Sequence, residues 1–566
     1  MTQSVLRERT RRGFGRLVDR YLDMPEPVTF RSECVRDLRV PMRDGTVLLA
    51  DRYRPRGAGP LPVVLLRTPY GKHKPDIKLF AGVLARRGFQ VVAQNVRGVF
   101  GSGGEFHAFV HEKEDGLATA AWLRERAWCD GRLATAGASY LGHTEWAIGP
   151  YLDPPLEAMC LGITTSAFPA AFYPGGVLAL HNMLVWSSAT GTQEEAPLGG
   201  LLPNPLHDRR VQRAMRTLPV GESDLAAIGR PERFLREVSA HAEPDDTYWA
   251  PIDHSAAALD MATPTSMVTG WWDIFLPWQL RDFAALTAAG HRSRITIGPW
   301  AHDRSALKAT LTDHVSWLSA QLAGDVTQLH QSPVRLYLQR AGRWLDFDRW
   351  PPPQSVPTPL RLQPSGGLDW PEPPDSTPDR FTYHGADPTP STGGPLLLPG
   401  EVRQQDNTAV EQRPDVLVFT GRPLPRDLDL IGPVSAEVHV RTDSGHGDVF
   451  VRLCDVDRAG VSRNVTDGIL RLRPGAPPAD ADGVVRARVE MHPTGYRFLR
   501  GHSLRVQVAG GAFPRYARHH GTGAPVATAV ACRPIRFEVF HEPGRASAVV
   551  LPLMTAPGPP GGSEPA

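Results

Sequence analysis

Ser139 stands in Leu133-Ala-Thr-Ala-Gly-Ala-Ser139-Tyr-Leu-Gly142, where small residues crowd around a single hydroxyl. A serine hydroxyl is a poor nucleophile at its own pKa and needs a base, and the base needs a partner that orients it. Gly270-Trp-Trp-Asp273 and Gly298-Pro-Trp-Ala-His302 each directly follow an apolar, β-rich run. His302 is the candidate to take the proton from Ser139, and Asp273 to fix the imidazole tautomer. The chain holds 20 histidines, so position after a strand, not residue type, selects His302. Asp253-His254 precedes its strand, and the side chain of Asp303 should diverge from that of its neighbour. An acyl-transfer reaction also needs two donors for the oxyanion. The backbone amide of Tyr140 is one. Tyr70, in the loop Arg67-Thr-Pro-Tyr70, offers a phenolic hydroxyl as the other, and a packed loop aromatic is the alternative reading of it.

These groups must be brought together by a scaffold. Small apolar residues up to Ala136, a sharp turn at Ser139, then a helical Thr144–Ile148 read as strand, nucleophile-bearing turn and helix. The usual Gly-x-Ser-x-Gly spelling is altered: Leu141 takes the second glycine position and Gly142 comes one residue late. Around this unit the sequence predicts a hairpin over Val40–Tyr53 with its turn at Asp44-Gly45. Strands follow at Leu61–Leu66, Val91–Ala93 and Met159–Ile163, with helices near Leu79–Arg87 and Asp115–Arg126. Alternating strands and helices imply a mostly parallel sheet covered on both faces, and the order Ser, Asp, His along the chain is that of an α/β-hydrolase. Residues 167–254 break this rhythm with aromatics and prolines and helical pieces at 208–217 and 231–240, as an inserted cap would. Strands resume at 266–270 and 294–298. Arg97-Gly-Val-Phe-Gly-Ser-Gly-Gly104 lacks the Gly-Lys-Ser/Thr of a phosphate loop and reads as a tight turn.

From about 329 to 555 period-two alternation takes over, as in Val434–Val440, Val485–Met491, Leu504–Val508 and Ile535–Val539, predicting an all-β sandwich or jelly roll. The hydrolase part is thus expected over 31–166 and 255–328, after an N-terminal extension (1–30). That extension repeats Phe14, Leu17, Val18, Tyr21 and Leu22 at helical spacing beside many arginines. The Pro/Gly-rich 556–566 is expected to be a disordered tail.

At 566 residues the chain needs more than one core. A hydrophobic share of 41% is that of a soluble globular protein, and a net charge of +2 excludes a global attraction to nucleic acid or anionic membranes. Five scattered cysteines without metal-ligand spacing read as reduced thiols of a cytoplasmic protein. No apolar run is long enough for a membrane span, and nothing calls for a metal or cofactor. A homo-oligomer is neither required nor excluded.

Val40-Pro-Met-Arg-Asp-Gly45, Arg67-Thr-Pro-Tyr70, Arg97–Phe106, Gly137-Ala-Ser-Tyr-Leu-Gly142, Gly270-Trp-Trp-Asp273 and Gly298-Pro-Trp-Ala-His302 resemble, in this order, the cocaine esterase / X-Pro dipeptidyl-peptidase family of serine hydrolases. Asp387-Pro-Thr-Pro-Ser-Thr-Gly-Gly394 and Phe513-Pro-Arg515 resemble its C-terminal β-domain. The resemblance implies an α/β-hydrolase core, a helical cap and a C-terminal jelly roll. It implies Ser139, Asp273 and His302 as the triad, and Tyr70 and Tyr140 as the oxyanion hole. The late glycine is usual in that family. Gln94-Asn95, where the family often has an aspartate, reads as a loop variation without effect on the triad.

The substrate class is a small-molecule ester or amide. Trp272 and Phe275 beside the acid, with Trp186 and Phe172 in the cap, are the candidate substrate wall, and Phe275 matches a family position lining the acyl pocket. An Xaa-Pro peptidase or amino-ester hydrolase would need an anion for the α-ammonium, for which Glu194-Glu195 is the candidate. Acyl transfer to another acceptor uses the same acyl-enzyme, and a carbohydrate-binding jelly roll without catalysis is the reading from a different class.

Overall fold

The computed structural model describes residues 31–195, 205–397 and 402–555, with positions 19, 20, 22, 24 and 26–29. Most of the N-terminal extension and the 556–566 tail lie outside the described residues. Leu22 is buried in the same apolar cluster as Leu84 and Leu318.

The first half is a sheet of ten strands in the order β1-β2-β4-β3-β5-β6-β7-β8-β9-β10. These are β1 (Ser32–Pro41), β2 (Val47–Pro55), β3 (Leu61–Thr68), β4 (Gln90–Asn95), β5 (Cys129–Ala138), β6 (Ala158–Gly162), β7 (Thr265–Trp272), β8 (Ser293–Ala301), β9 (Val334–Leu338) and β10 (Arg343–Phe347). The seven from β3 to β9 are parallel, with antiparallel strands at the two edges. A parallel sheet must be covered on both faces. On one, α1 (Pro75–Arg86) and, near the end of this half, α10 (Leu307–Ala323) contribute Ala81, Leu84, Leu311 and Val315. On the other, α2 (Glu112–Arg124) and α9 (Leu276–Ala288) contribute Leu123, Leu280 and Phe283. This is the α/β-hydrolase core.

α3 (Tyr140–Trp146) follows β5 directly. Between β6 and β7 the chain leaves the sheet to form the helical cap: α4 (Phe168–Phe172), α5 (Leu180–Thr192), α6 (Pro205–Ala214), α7 (Ser223–Ile228) and α8 (Arg233–Ala240). The cap has its own apolar cluster, which includes Phe168, Leu184, Met215 and Leu235 and reaches Tyr140 and Phe275 of the core.

The first sheet continues past the expected boundary at 328/329. β9 pairs parallel with β8 (Ile295 with Val334, Ile297 with Leu336), and β10 pairs with β9, so the first sheet runs to Phe347. Buried Val334, Leu336 and Leu338 alternate with less buried Arg335 and Tyr337, a pattern an edge strand shares with the β-domain.

The remainder is an all-β domain of 12 strands in one curved, barrel-like sheet. The 15-residue strand Leu428–Thr442 is its spine, pairing along one edge with Val485–Phe498 and along the other with Ile535–Glu542 and Ala548–Met554. The two C-terminal sequence motifs meet here. The Ser391 amide donates to Phe513 O at 2.7 Å, and the Phe513 amide to Thr389 O at 2.8 Å. Gly394 has no side chain because a Cβ would lie 2.6 Å from an Arg515 guanidinium nitrogen. Arg515 and Arg452 share the buried carboxylate of Asp467, at 2.5 and 2.9 Å, which holds that carboxyl below its usual range despite burial. Phe513 belongs to the cap's apolar cluster, so this motif pair docks the β-domain on the cap.

Candidate active site

β5 ends at Ala138 and α3 begins at Tyr140, leaving Ser139 alone to make the turn at φ 58°, ψ −121°. That is a costly conformation for a residue with a side chain, held only where neighbours over-determine it. Here the Ser139 amide donates to Gly162 O at 2.9 Å, and its carbonyl accepts from Thr164 Oγ1 at 2.9 Å. A Cβ on Gly137 would lie 2.3 Å from Leu141 Cβ, and one on Gly142 2.4 Å from Thr164 Cγ2. The altered glycine spacing follows from this: Leu141 is tolerated because Gly137 makes room for it, and Gly142 makes room for Thr164. Gly137→Ala is therefore expected to destabilise the protein by about 1–3 kcal/mol, the usual range for overpacking. By displacing the hydroxyl it should also lower turnover on the order of a hundredfold. Denaturant unfolding and saturating-substrate rates on the same variant check both.

The other two groups come from the ends of β7 and β8. A Cβ on Gly270 would lie 2.2 Å from Trp300 O, so this glycine lets the ends of β7 and β8 close together, and one on Gly298 would lie 2.5 Å from the Trp300 ring further along its own strand. The pairing of β7 with β8 shifts register between Gly270 and Trp272. His302 Nδ1 lies 2.7 Å from Asp273 Oδ2, and Nε2 lies 2.9 Å from Ser139 Oγ. A carboxylate can only accept, so Nδ1 carries the proton and Nε2 is left to accept from the serine hydroxyl. Asp273 is fully buried, and its other oxygen accepts the Phe275 amide at 2.8 Å.

Tyr70 follows β3. Its hydroxyl accepts from Trp186 Nε1 at 3.0 Å. Burial pushes this phenol up to about 12, so it keeps its proton across the working pH range. Gln94-Asn95, read from sequence as loop variation, holds this region in place. Asn95 Oδ1 accepts the Lys72 amide at 2.6 Å, and Gln94 Oε1 accepts from Arg67 Nε at 3.0 Å. Asp37, Asp51 and His73 gather near enough to resemble a metal site, but Lys72 Nζ already bridges both carboxylates at 2.7 and 2.6 Å. Tyr140 opens α3, so its amide has no helical carbonyl to bond. Its phenol is anchored away from the site, donating to Glu112 Oε1 at 2.7 Å and accepting from the Phe109 amide at 2.8 Å.

A cavity of about 240 Å³ opens on Ser139 and His302. Phe172 and Trp186 of the cap line it, as does Phe275, which meets His302 edge-on at 5.3 Å. Phe109 and Phe234 also line it and were missed in the sequence, where Phe109 falls just past the Arg97–Phe106 motif and Phe234 is near none. Trp272 is corrected: it is buried in the core cluster, donates from Nε1 to Gln339 Oε1 at 2.9 Å, and does not line the cavity. It is the last residue of β7, and the bend comes after it. Glu194 is engaged by the Phe100 amide at 3.1 Å and Glu195 pairs with Arg230, so neither is a cavity residue. Asp303 caps its own turn, accepting from the Ser305 amide at 2.8 Å.

Fold and site together define a serine hydrolase of the α/β-hydrolase class. Residues 44–304 match the family model of the X-Pro dipeptidyl-peptidase (S15 family), and residues 329–530 that of the X-Pro dipeptidyl-peptidase C-terminal non-catalytic domain. The cocaine esterase of Rhodococcus sp. (strain MB1 Bresler) is 30% identical over 92% of this chain and 98% of its own. Among solved structures, an aminopeptidase from a marine sediment Thaumarchaeota archaeon shares the fold at TM-score 0.78 and 21% identity, covering 94% of this chain and 98% of that one. An α-amino acid ester hydrolase does so at TM-score 0.76 and 20% identity, with the same coverage. The chain belongs to the cocaine esterase / X-Pro dipeptidyl-peptidase family of serine hydrolases, and it is an ester or amide hydrolase.

Proposed function

We propose that the protein is a carboxylic-ester hydrolase working through an acyl-enzyme on Ser139, with His302 as base, Asp273 as its orienting acid, and the Tyr70 hydroxyl and Tyr140 amide as the oxyanion hole. The observation that carries it is the unbroken line from Asp273 Oδ2 through His302 to Ser139 Oγ, at 2.7 and 2.9 Å. His302 takes the serine proton as Oγ attacks the carbonyl, returns it to the leaving group, then activates water for the second step. Trp186 supports the assignment of Tyr70: by donating to the phenol oxygen it leaves the phenol's own hydrogen for the oxyanion.

Ester rather than peptide is favoured by the cavity's lining. Apart from Ser139, His302 and two tyrosines, its described residues are aromatic or aliphatic. An α-ammonium placed there would be desolvated without a partner, a cost that an apolar acyl group avoids. The family relationship to an esterase agrees with this reading.

A fluorophosphonate adduct mapped by mass spectrometry tests the nucleophile, and p-nitrophenyl esters against Xaa-Pro p-nitroanilides test the substrate class. An adduct on another residue, or faster anilide cleavage, would reverse the assignment. Tyr70→Phe should cost on the order of a hundredfold in kcat, as loss of one oxyanion donor does. Because the phenol is pushed up to about 12, the alkaline side of the pH–rate profile should keep its shape in this variant. A change of that limb would show that Tyr70 titrates during turnover.

A further inference from the structure

A second cavity, of about 210 Å³, lies beside the first, on the other side of Tyr70. Tyr70 is the one described residue that lines both. Elsewhere, consecutive residues divide between them. Ser139 and Tyr140 face the first cavity, while Ala138 and Leu141 on either side face the second; His302 faces the first and Asp303 the second. The second cavity is walled mostly by apolar side chains, among them Ile77 and Phe80 of α1, Ile163, and Leu307 of α10, with Asp76, Asp303 and Arg304 also on its lining.

Ester cleavage places four substituents on one carbon. Serine Oγ forms the new bond, the oxyanion turns to its donors, and the acyl chain and the alkoxy oxygen take the other two directions. The C–O bond to the alkoxy group breaks with its electron pair on that oxygen. The proton taken from Ser139 passes from His302 Nε2 to it, and a neutral alcohol departs. The leaving oxygen must therefore face His302, from which the chain runs into the turn of residues 303–307. That turn is a wall of the second cavity. At about 240 Å³ the first cavity is smaller than two cavities of the roughly 150 Å³ that holds one benzene ring.

We infer that the second cavity binds the alcohol half of the substrate and favours a ring-sized apolar alcohol as leaving group. This rests on the ester-hydrolase reading with Ser139 as nucleophile. The size is adequate, since an apolar cavity of about 150 Å³ holds a benzene.

Leu307 is half-buried at the first position of α10, where a larger side chain fills the cavity without entering the sheet. Methyl and benzyl phenylacetate vary the alcohol, and methyl acetate against methyl phenylacetate varies the acyl group. Leu307→Trp should lower the benzyl-to-methyl ratio of kcat/KM at least about tenfold, the scale on which pockets discriminate apolar groups. Leu307→Ala should shift preference toward a naphthylmethyl alcohol. A benzyl-to-methyl ratio unchanged in both variants, or a change that follows the acyl series instead, overturns the inference. Wild-type protein without ester turnover removes both this and the ester-hydrolase reading, whereas normal turnover without alcohol discrimination removes only this one.

Discussion

Ser139→Ala is expected to lower kcat/KM for every ester by at least about 10⁴-fold, because without the hydroxyl there is no covalent intermediate to divide the reaction in two. The remaining rate would come from the oxyanion donors and from binding, which alone retain roughly 10³–10⁴-fold over water in such sites. His302→Ala should fall to a similar floor, and the double variant should be little worse than either, since the two side chains act as one unit. Steady-state rates on a p-nitrophenyl ester, with loss of the fluorophosphonate adduct, make the measurement. A Ser139→Ala protein within tenfold of wild type would end the assignment.

Asp273→Asn should cost on the order of 10⁴-fold in kcat with little change in stability. The reason is specific to how this carboxylate is held. One oxygen accepts the Phe275 amide and the other receives His302 Nδ1–H, so both positions need an acceptor. Asparagine has a single carbonyl oxygen. If it serves Phe275, its NH₂ faces Nδ1 and drives the ring proton to Nε2, where it blocks the serine. If it serves His302, an NH₂ is pressed against the Phe275 amide in a fully buried site, and the loop must shift. Thermal melting beside pre-steady-state kinetics separates the two: the first leaves the melting point in place, the second lowers it. Near-normal kcat would show that Asp273 does not set the tautomer.

What could be read from sequence followed strand ends. Tyr70, Ser139, Asp273 and His302 each come just after an apolar strand of one parallel sheet, and such strands deliver their C-terminal ends to the same edge. Hence residues as far apart as Ser139 and His302, 163 positions, could be brought together on paper. Partnerships that depend on side-chain reach could not. Trp186 bonds Tyr70 from a cap helix 116 residues away, with no motif linking them. Trp272 sits beside the acid in sequence, yet the chain bends only after it, so its indole goes to Gln339 instead of the cavity. Asn95 and Gln94 looked incidental because the backbone amide and guanidinium they hold belong to the loop after β3 and to β3 itself. The edge strands β9 and β10 were read with the β-domain because alternation marks a half-buried strand without saying which sheet it joins.

The grip on Trp271 and Trp272 bears on how this architecture can be inherited. The Trp272 indole N–H donates to Gln339 Oε1, while the Gln339 amide donates to Gly495 O at 2.9 Å and the Arg497 amide to Gln339 O at 3.1 Å. A Cβ on Gly495 would lie 2.5 Å from the Trp271 ring. The segment that presents the acid is thus seated on a strand of the second module, which is a foundation and not cargo. Recombination that exchanged that module would preserve chemistry only if the newcomer brought a bare backbone position and a matching amide at the same spot.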